Sequence, residues 1–301
     1  MKIGYRIFLV ACGLALAQGA AAAINVLACE PEWAALASEI GGDSVKVASA
    51  TTALQDAHRI EARPSLIARA RSADLVICTG SDLEVGWLPL LFTQSGNAKI
   101  QPGTPGYFEA STFVTRIEVP KAVDRAMGDI HPGGNPHIHL DPRNLAKVAD
   151  ALAARLAQID APNAAAYRSR LEDFLQRWQA ATARWEKEGA RLKGIPLVVY
   201  HKDLSYFIAW MGMREVGSLE PKPGLPATPA HLAELVERMK REPAKVIAYS
   251  AYNSPKPAEF LSIRTGIPAV MLPFTVGGSD KAKDLFGLFD DTLARLNAVV
   301  K

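Results

Sequence analysis

The chain has 301 residues, of which 49% are hydrophobic, and its formal net charge at pH 7 is only +3. This balance provides no basic surface for nucleic acid, and the length exceeds what one hydrophobic core usually fills. We therefore expect two globular lobes and no nucleic-acid partner.

The first 23 residues have the pattern of a secretory signal peptide. Lys2 and Arg6 precede an apolar run at residues 7–17, and a small-residue stretch ends at Ala23. The apolar run is shorter than the roughly 20 residues that a membrane helix needs. Cleavage near Ala23 would release a periplasmic chain of net charge +1. A lipobox-like sequence ends at Cys12, but only five apolar residues would precede that cleavage point, so we expect release rather than lipid anchoring.

Short apolar runs rich in β-branched residues alternate with stretches of helical periodicity, a pattern typical of βαβ units and parallel sheets. Six strands are predicted, at residues 24–29, 45–48, 73–78, 195–200, 246–249 and 269–272. Three of them precede residue 80 and three follow residue 194. The sequence thus predicts an α/β protein with two lobes, each a parallel sheet flanked by helices.

The tract at residues 161–193 predicts one long helix between the two groups of strands. Its large apolar residues recur at intervals of three, four or seven: Tyr167, Leu171, Phe174, Trp178, Trp185 and Leu192. A helix of about 30 residues spans about 45 Å, so we expect a rigid connector along both lobes. The predicted division is an N-terminal lobe at 24–160, the connecting helix at 161–193 and a C-terminal lobe at 194–301.

Local signals predict further features around this framework. Asp141 is expected to cap a helix that ends near Asp160, and another helix is expected at residues 229–240. The Gly- and Pro-rich residues 102–135 predict loops, with a short strand at 113–119. Cys29 and Cys78 both end strand-like runs; in an oxidising compartment they could form a disulfide, and two buried free thiols remain the alternative.

The six histidines, at positions 58, 131, 137, 139, 201 and 231, are the most informative polar residues. His201 directly follows a predicted strand, and His58 lies in the loop after another, so both would face the strand-end edge where α/β sheets bind ligands. His137 and His139 would project to the same side of an extended chain. His231 falls in a predicted helix and is expected to be an ordinary hydrogen-bonded residue. Imidazole is a frequent zinc ligand, and the scarcity of cysteines argues against a thiolate site.

Several motifs occur in an order that resembles the cluster A-I solute-binding proteins, the ZnuA- and TroA-like zinc and manganese receptors of ABC importers. The matching segments are residues 56–65, 73–80, 83–87, 135–142, 198–203 and 254–256. The likeness covers essentially the whole mature chain. It implies two α/β lobes joined by a long helix, with metal held between them by His58, His137 and His201.

The resemblance leaves the fourth ligand open. The family commonly has a carboxylate after the strand at 246–249, where this chain has Ser250, and another after the last strand, where Asp280 is the candidate. Asp280 could instead cap the helix that carries Leu285. A water molecule or His139 could complete the shell, and His131 and His139 are kept as further metal candidates.

Three imidazoles with at most one carboxylate favour Zn²⁺ over Mn²⁺, which binds better to carboxylate oxygens. We therefore expect a non-enzymatic, monomeric periplasmic receptor without an organic cofactor. It would pass its metal to an ABC permease in the inner membrane and could itself be loaded by a metallochaperone. The alternatives are an exported zinc-dependent hydrolase, for which no HExxH motif or oriented general base is found, and a metal-independent adhesin.

Overall fold

The computed structural model describes residues 22–124 and 127–300, which form two α/β lobes, each built on a four-stranded parallel sheet. The first sheet has the order β2-β1-β3-β4, with β1 at Ile24–Ala28, β2 at Val45–Ser49, β3 at Leu75–Cys78 and β4 at Tyr107–Glu109. The second has the order β6-β5-β7-β8, with β5 at Pro196–Val199, β6 at Arg214–Ser218, β7 at Val246–Ser250 and β8 at Ala269–Leu272. The predicted fold class is confirmed.

Nine α-helices cover the sheets and join the lobes within the described residues. They are α1 Pro31–Gly41, α2 Pro64–Ser72, α3 Leu88–Ser95, α4 Pro142–Ile159, α5 Ala164–Gly189, α6 Ser205–Met211, α7 Pro229–Arg241, α8 Lys256–Thr265 and α9 Leu285–Val299. The predicted cap of α4 is present, because the Asp141 side chain accepts a hydrogen bond from the Arg143 backbone N–H. No helix in these ranges is long and apolar enough to cross a membrane. Residues 1–21, with Cys12 and nearly all of the predicted signal peptide, lie outside the described residues.

The sequence prediction missed the edge strands β4 and β6 and placed a false strand at residues 113–119. Each missed strand pairs on one side only; β4 has only three residues and β6 has a single apolar side chain, Val216, so neither gives an apolar run long enough to predict a strand. At 113–119 the backbone finds other partners. The Ile117 N–H donates to the Tyr206 hydroxyl at 3.2 Å, and the Ile117 carbonyl accepts from the Asn135 N–H at 2.9 Å.

The long helix α5 packs against both lobes. It contacts α1 and α4 on the first side and α9 on the second, and its 26 residues span about 39 Å. The Trp178 indole N–H donates to the Pro142 carbonyl at the start of α4, at 2.8 Å. The Trp185 indole N–H donates to the Asp290 carboxylate of α9, at 2.6 Å. The aromatic face of α5 is therefore bonded to both lobes, as expected for the predicted connecting helix.

The lobes also share their interior. One buried apolar cluster includes Val26 and Ile77 from the first sheet, Val199 and Leu272 from the second, and the buried face of α5. Such a shared core resists large hinge motion, because opening the lobes would expose close-packed apolar surface. In the first lobe, a disulfide joins Cys29 and Cys78 just beyond β1 and at the end of β3, with 4.8 Å between Cα atoms.

Candidate metal centre

Three histidines from separate loops converge at the strand-end side of the two sheets. His58 lies in the loop between β2 and α2, His137 precedes α4, and His201 directly follows β5. One ligand nitrogen from each ring lies within 4.8 Å of the other two. The three ring centroids are 5.6 to 5.9 Å apart. The structure thus brings together the three residues that the resemblance implied.

Each of these imidazoles is held through its Nδ1 atom by a side-chain oxygen. The pairs are His58 with Asp56 at 2.7 Å, His137 with Asn135 at 2.9 Å, and His201 with Glu220 at 2.7 Å. An oxygen acceptor at Nδ1 places the ring proton there, so Nε2 keeps its lone pair. Partners of this kind orient metal-binding histidines and raise their basicity. Three Nε2 lone pairs are therefore available to one cation.

Two of the oxygen partners share a local geometry that the sequence prediction did not recognise. Asp56 and Asn135 each stand two residues before the histidine they hold. In both cases, the Oδ1 atom that contacts the ring also accepts the backbone N–H of that histidine, at 3.0 Å. This Asx turn fixes the backbone and the ring together. Glu220 is 19 residues from His201 and follows the unpredicted strand β6, so no local signal indicated it.

The charges around the cluster differ between its members. Burial lowers the pKa of His137 well below its ordinary value, and the neighbouring imidazoles of His201 and His58 add to this shift. Burial acts in the same direction on His201, but the hydrogen bond to Glu220 and the charge of Asp203 outweigh it and raise the pKa of His201. His137 is therefore neutral at neutral pH, whereas His201 carries a proton more often.

Ser250 occupies a position where the family that this sequence resembles often has a carboxylate. Its hydroxyl is bonded to the buried Asp203 carboxylate, which also accepts from the Tyr252 hydroxyl at 2.9 Å. Asp203 lies near His201 and favours its charged form. Ser250 is therefore linked to the cluster through Asp203.

His139 does not project beside His137, so the expectation of an extended chain here is wrong. Residues Ile138–Leu140 form a 3₁₀ turn, which points the two rings in different directions. The His139 Nε2 atom contacts the Phe274 carbonyl at 3.0 Å. Its Nδ1 lies 3.1 Å from the Glu32 carboxylate, though not aligned for a hydrogen bond. Both nitrogens face partners other than the histidine cluster, and the ring instead links α1 to the loop after β8.

Of the other residues considered from the sequence, only His131 lies against the histidine cluster among the described residues; Asp280 and His231 do not. Asp280 is exposed and is not among the residues whose ligand atoms group with the three histidines. It does not cap α9 either, because Asp284 does so by accepting the Gly287 N–H at 2.7 Å. His231 pairs with the Ser218 carbonyl at 2.9 Å, as expected for an ordinary hydrogen-bonded residue. His131 approaches the cluster, with its Nε2 atom 3.1 Å from the Nε2 atom of His58.

Relatives and solved structures agree with this architecture. The manganese ABC transporter substrate-binding lipoprotein scaA of Streptococcus gordonii is 23% identical, over 87% of this chain and 83% of its own length. PsaA of Streptococcus mitis, a protein of the same description, is 24% identical over 92% of this chain and 89% of its own.

Two solved structures share the fold. A crystal structure of ZnuA superposes with a TM-score of 0.78 at 20% identity, covering 93% of this chain and all of that one. The Mn-bound periplasmic metal binding protein of Candidatus Liberibacter asiaticus gives 0.75 at 17% identity, covering 92% of this chain and all of that one. The family described as zinc-uptake complex component A periplasmic matches residues 26–299. Since that match spans nearly the whole described chain, the protein belongs to this family.

Proposed function

We propose that this protein is the substrate-binding receptor of a metal ABC importer, and that it captures a divalent transition metal, Zn²⁺ ahead of Mn²⁺, at His58, His137 and His201. The observation that carries the proposal is the convergence of three imidazoles whose Nδ1 atoms are all engaged by oxygen acceptors. In this proposal, cleavage near Ala23 releases the receptor into the periplasm, where it docks on an inner-membrane permease. Because a relative is described as a lipoprotein, lipid anchoring of this chain at Cys12 is the alternative.

The donor atoms support zinc more than manganese. The nearest carboxylates, Asp56 and Glu220, are engaged with imidazole Nδ1 atoms and do not group with the three ligand nitrogens. Nitrogen donors suit Zn²⁺, whereas Mn²⁺ is held better by oxygen. Relatives described as manganese transporters keep Mn²⁺ as the competing substrate, and the experiment below compares the two directly.

The same contacts argue against a hydrolase. A catalytic zinc needs an open position for water and a carboxylate poised to take its proton. Among the described acids beside the cluster, Asp56 and Glu220 bond to ligand histidines, Asp203 is bonded to Ser250 and Tyr252, and Asp129 is paired with Arg59. These acids are already committed to positioning, which suits a site that holds metal rather than one that activates water.

Metal content and thermal unfolding of the chelator-treated mature chain test the proposal, with Zn²⁺, Mn²⁺, Cu²⁺ or Ni²⁺ added back singly. We expect one tight equivalent of Zn²⁺, and at about 100 times its dissociation constant a gain of about 2.7 kcal/mol in unfolding free energy. Mn²⁺ should give a much smaller shift. No stoichiometric metal and no stabilisation by any of the four ions would contradict the proposal.

Alanine variants assign the ligands. Replacing His58, His137 or His201 should each lower zinc affinity by more than about 100-fold, because even outer-sphere partners of metal ligands are worth about 10- to 100-fold. His231→Ala is the matched control, since that ring contacts the Ser218 carbonyl outside the cluster. Loss of zinc by the His231 variant together with retention by the His201 variant would overturn the assignment.

A further inference from the structure

The segment at residues 127–131, here called the strap, belongs to the first lobe but crosses to the second. The Asp129 backbone N–H donates to the Pro223 carbonyl at 2.8 Å. Arg59, next to the ligand His58, donates to the Gly224 carbonyl at 3.1 Å and lies 3.5 Å from the Asp129 carboxylate. The strap therefore rests on the turn at residues 222–224.

Two glycines allow this close approach. Gly128 and Gly224 both have positive φ, at 86° and 76°. A Cβ atom on Gly128 would collide with the Pro223 carbonyl oxygen, and one on Gly224 would collide with the Asp129 carboxylate. A larger residue at position 128 would push the strap away from the turn, because its Cβ meets backbone, whereas one at position 224 would displace the Asp129 carboxylate.

The turn under the strap is also bonded to Glu220, the residue that orients the proposed ligand His201. The Glu220 oxygen that holds His201 Nδ1 accepts the Gly224 N–H as well, at 2.8 Å. Two cavities of about 260 and 230 Å³ reach the histidines, and Asp129 of the strap and His201 line both. The strap thus covers the histidine cluster and is fixed to the loop that orients His201.

His131, the last residue of the strap, meets the cluster through His58. The His58 proton is placed on Nδ1 by Asp56, so its Nε2 atom presents a lone pair to His131 Nε2 at 3.1 Å. Two neutral imidazoles can share such a contact only if one of these nitrogens carries a proton, whereas a cation binds both lone pairs. Two nitrogens in a tetrahedral zinc shell are about 3.3 Å apart, which is close to the observed separation.

Resting on the proposed function, we propose that His131 is the fourth metal ligand and that docking of the strap on the 222–224 turn delivers it. His131 is not part of the set within 4.8 Å, so metal binding draws its ring inward from the contact with His58. Asp280, the carboxylate expected from the sequence, is exposed and stays outside this shell. The closed site is a four-imidazole shell that spans both lobes.

Long-range ¹H–¹⁵N spectra of the ¹⁵N-histidine-labelled mature chain, titrated with Zn²⁺ alone, test the proposal directly. Of six histidines, four should show Nε2 signals that move to metal-bound positions, and His131→Ala should remove one of the four. Zinc affinity of that variant should fall by at least the roughly 10- to 100-fold that an outer-sphere partner is worth, while His231→Ala and Asp280→Ala keep the wild-type value. An unshifted His131 signal, or a loss of affinity in Asp280→Ala but not in His131→Ala, overturns it.

A glycine pair tests the strap without touching a ligand. Gly128→Ala should weaken zinc binding and remove the His131 shift, because the new Cβ collides with Pro223. Gly103→Ala is the matched control: its φ of 87° nearly equals that of Gly128, but nothing lies within 4 Å of its Cβ position. Equal zinc affinities for the two variants overturn delivery by the strap. If His131→Ala and His201→Ala both kept their zinc affinity, the proposed function itself would fail. If His201→Ala lost zinc affinity and His131→Ala kept it, only the role of His131 would be rejected.

Discussion

The two lobes hold their histidines in different ways. In the first lobe, His58 and His137 are each fixed by a residue two positions earlier, through an Asx turn that also binds the histidine backbone. In the second lobe, His201 depends on Glu220, which reaches it across β6 from 19 residues away. His58 and His137 stay oriented as long as their own loops keep their conformation, whereas His201 is oriented only when the second lobe is folded. The second half of the site should therefore be more sensitive to changes elsewhere in the protein.

The largest expected difference between the lobes is in stability. The disulfide between Cys29 and Cys78 belongs to the first lobe, and the chain has no cysteine after Cys78. Replacing both cysteines by alanine should lower the unfolding free energy by about 2–4 kcal/mol, measured by urea denaturation.

Amide hydrogen exchange measures the stability of each lobe separately, so it tests whether loss of the disulfide affects the first lobe more than the second. Amides of β1 and β3 should lose more protection than those of β5 and β7 in the double variant. Equal losses in both sheets would show that the shared core makes the lobes one cooperative unit. An unchanged unfolding free energy would contradict the structural role of the bridge.

A smaller effect is expected from the oxygen partners of the three proposed ligand histidines. Alanine at Asp56, Asn135 or Glu220 should lower zinc affinity about 10- to 100-fold, measured by competition with a chromophoric chelator. Glu220→Ala should lie at the upper end, because its carboxylate also fixes the Gly224 turn.

Conservative variants separate geometry from charge. Asp56→Asn keeps an Oδ1 acceptor and should retain most of the affinity that Asp56→Ala loses. Glu237→Ala serves as control, since that exposed acid pairs with Lys240 on α7. If Asp56→Asn were as weak as Asp56→Ala, the negative charge rather than the Asx turn would orient His58.

The smallest predicted effect concerns buried acids in the first lobe. Burial raises the pKa of Glu84 to about 7, against hydrogen bonds from the Thr79 and Gly80 N–H groups, and burial together with the charge of Glu84 raises the pKa of Glu30. The folded state therefore binds protons that the unfolded chain releases above its ordinary value of 4.5. Stability from this pair is present below that pH and is lost as pH rises towards 7.

Glu84→Gln should make the fall in unfolding free energy between pH 4.5 and 7 shallower, because one titrating group is removed and Glu30 loses a charged neighbour. Urea denaturation across this pH range measures the effect. A slope equal to that of the unmodified protein would contradict a raised pKa of Glu84. Burial also raises the pKa of Asp203 in the second lobe, although the charge of His201 and the hydroxyls of Ser250 and Tyr252 oppose the shift.

Much of the fold was predictable because its signals are local. Central strands give apolar runs, α4 begins at a recognisable cap, and the periodic aromatic residues of α5 mark its buried face. The edge strands β4 and β6 were missed because β4 has only three residues and β6 has one apolar residue, whereas the edge strands β2 and β8 were predicted from their apolar residues. The same limit affected the site, since Glu220 follows the strand β6 that was not predicted.

The sequence by itself determined the α/β class and the connecting helix, because each depends on residue type and short spacing, and the resemblance indicated the three histidines that converge. Only the tertiary structure decided which way the other polar groups turn. A 3₁₀ turn directs His139 to Phe274 and Glu32, Asp280 lies exposed, and the strap brings His131 against His58. These outcomes depend on contacts between residues up to 135 positions apart, such as His139 with Phe274. Packing of the two lobes creates such contacts, and neither residue pattern nor spacing indicates them.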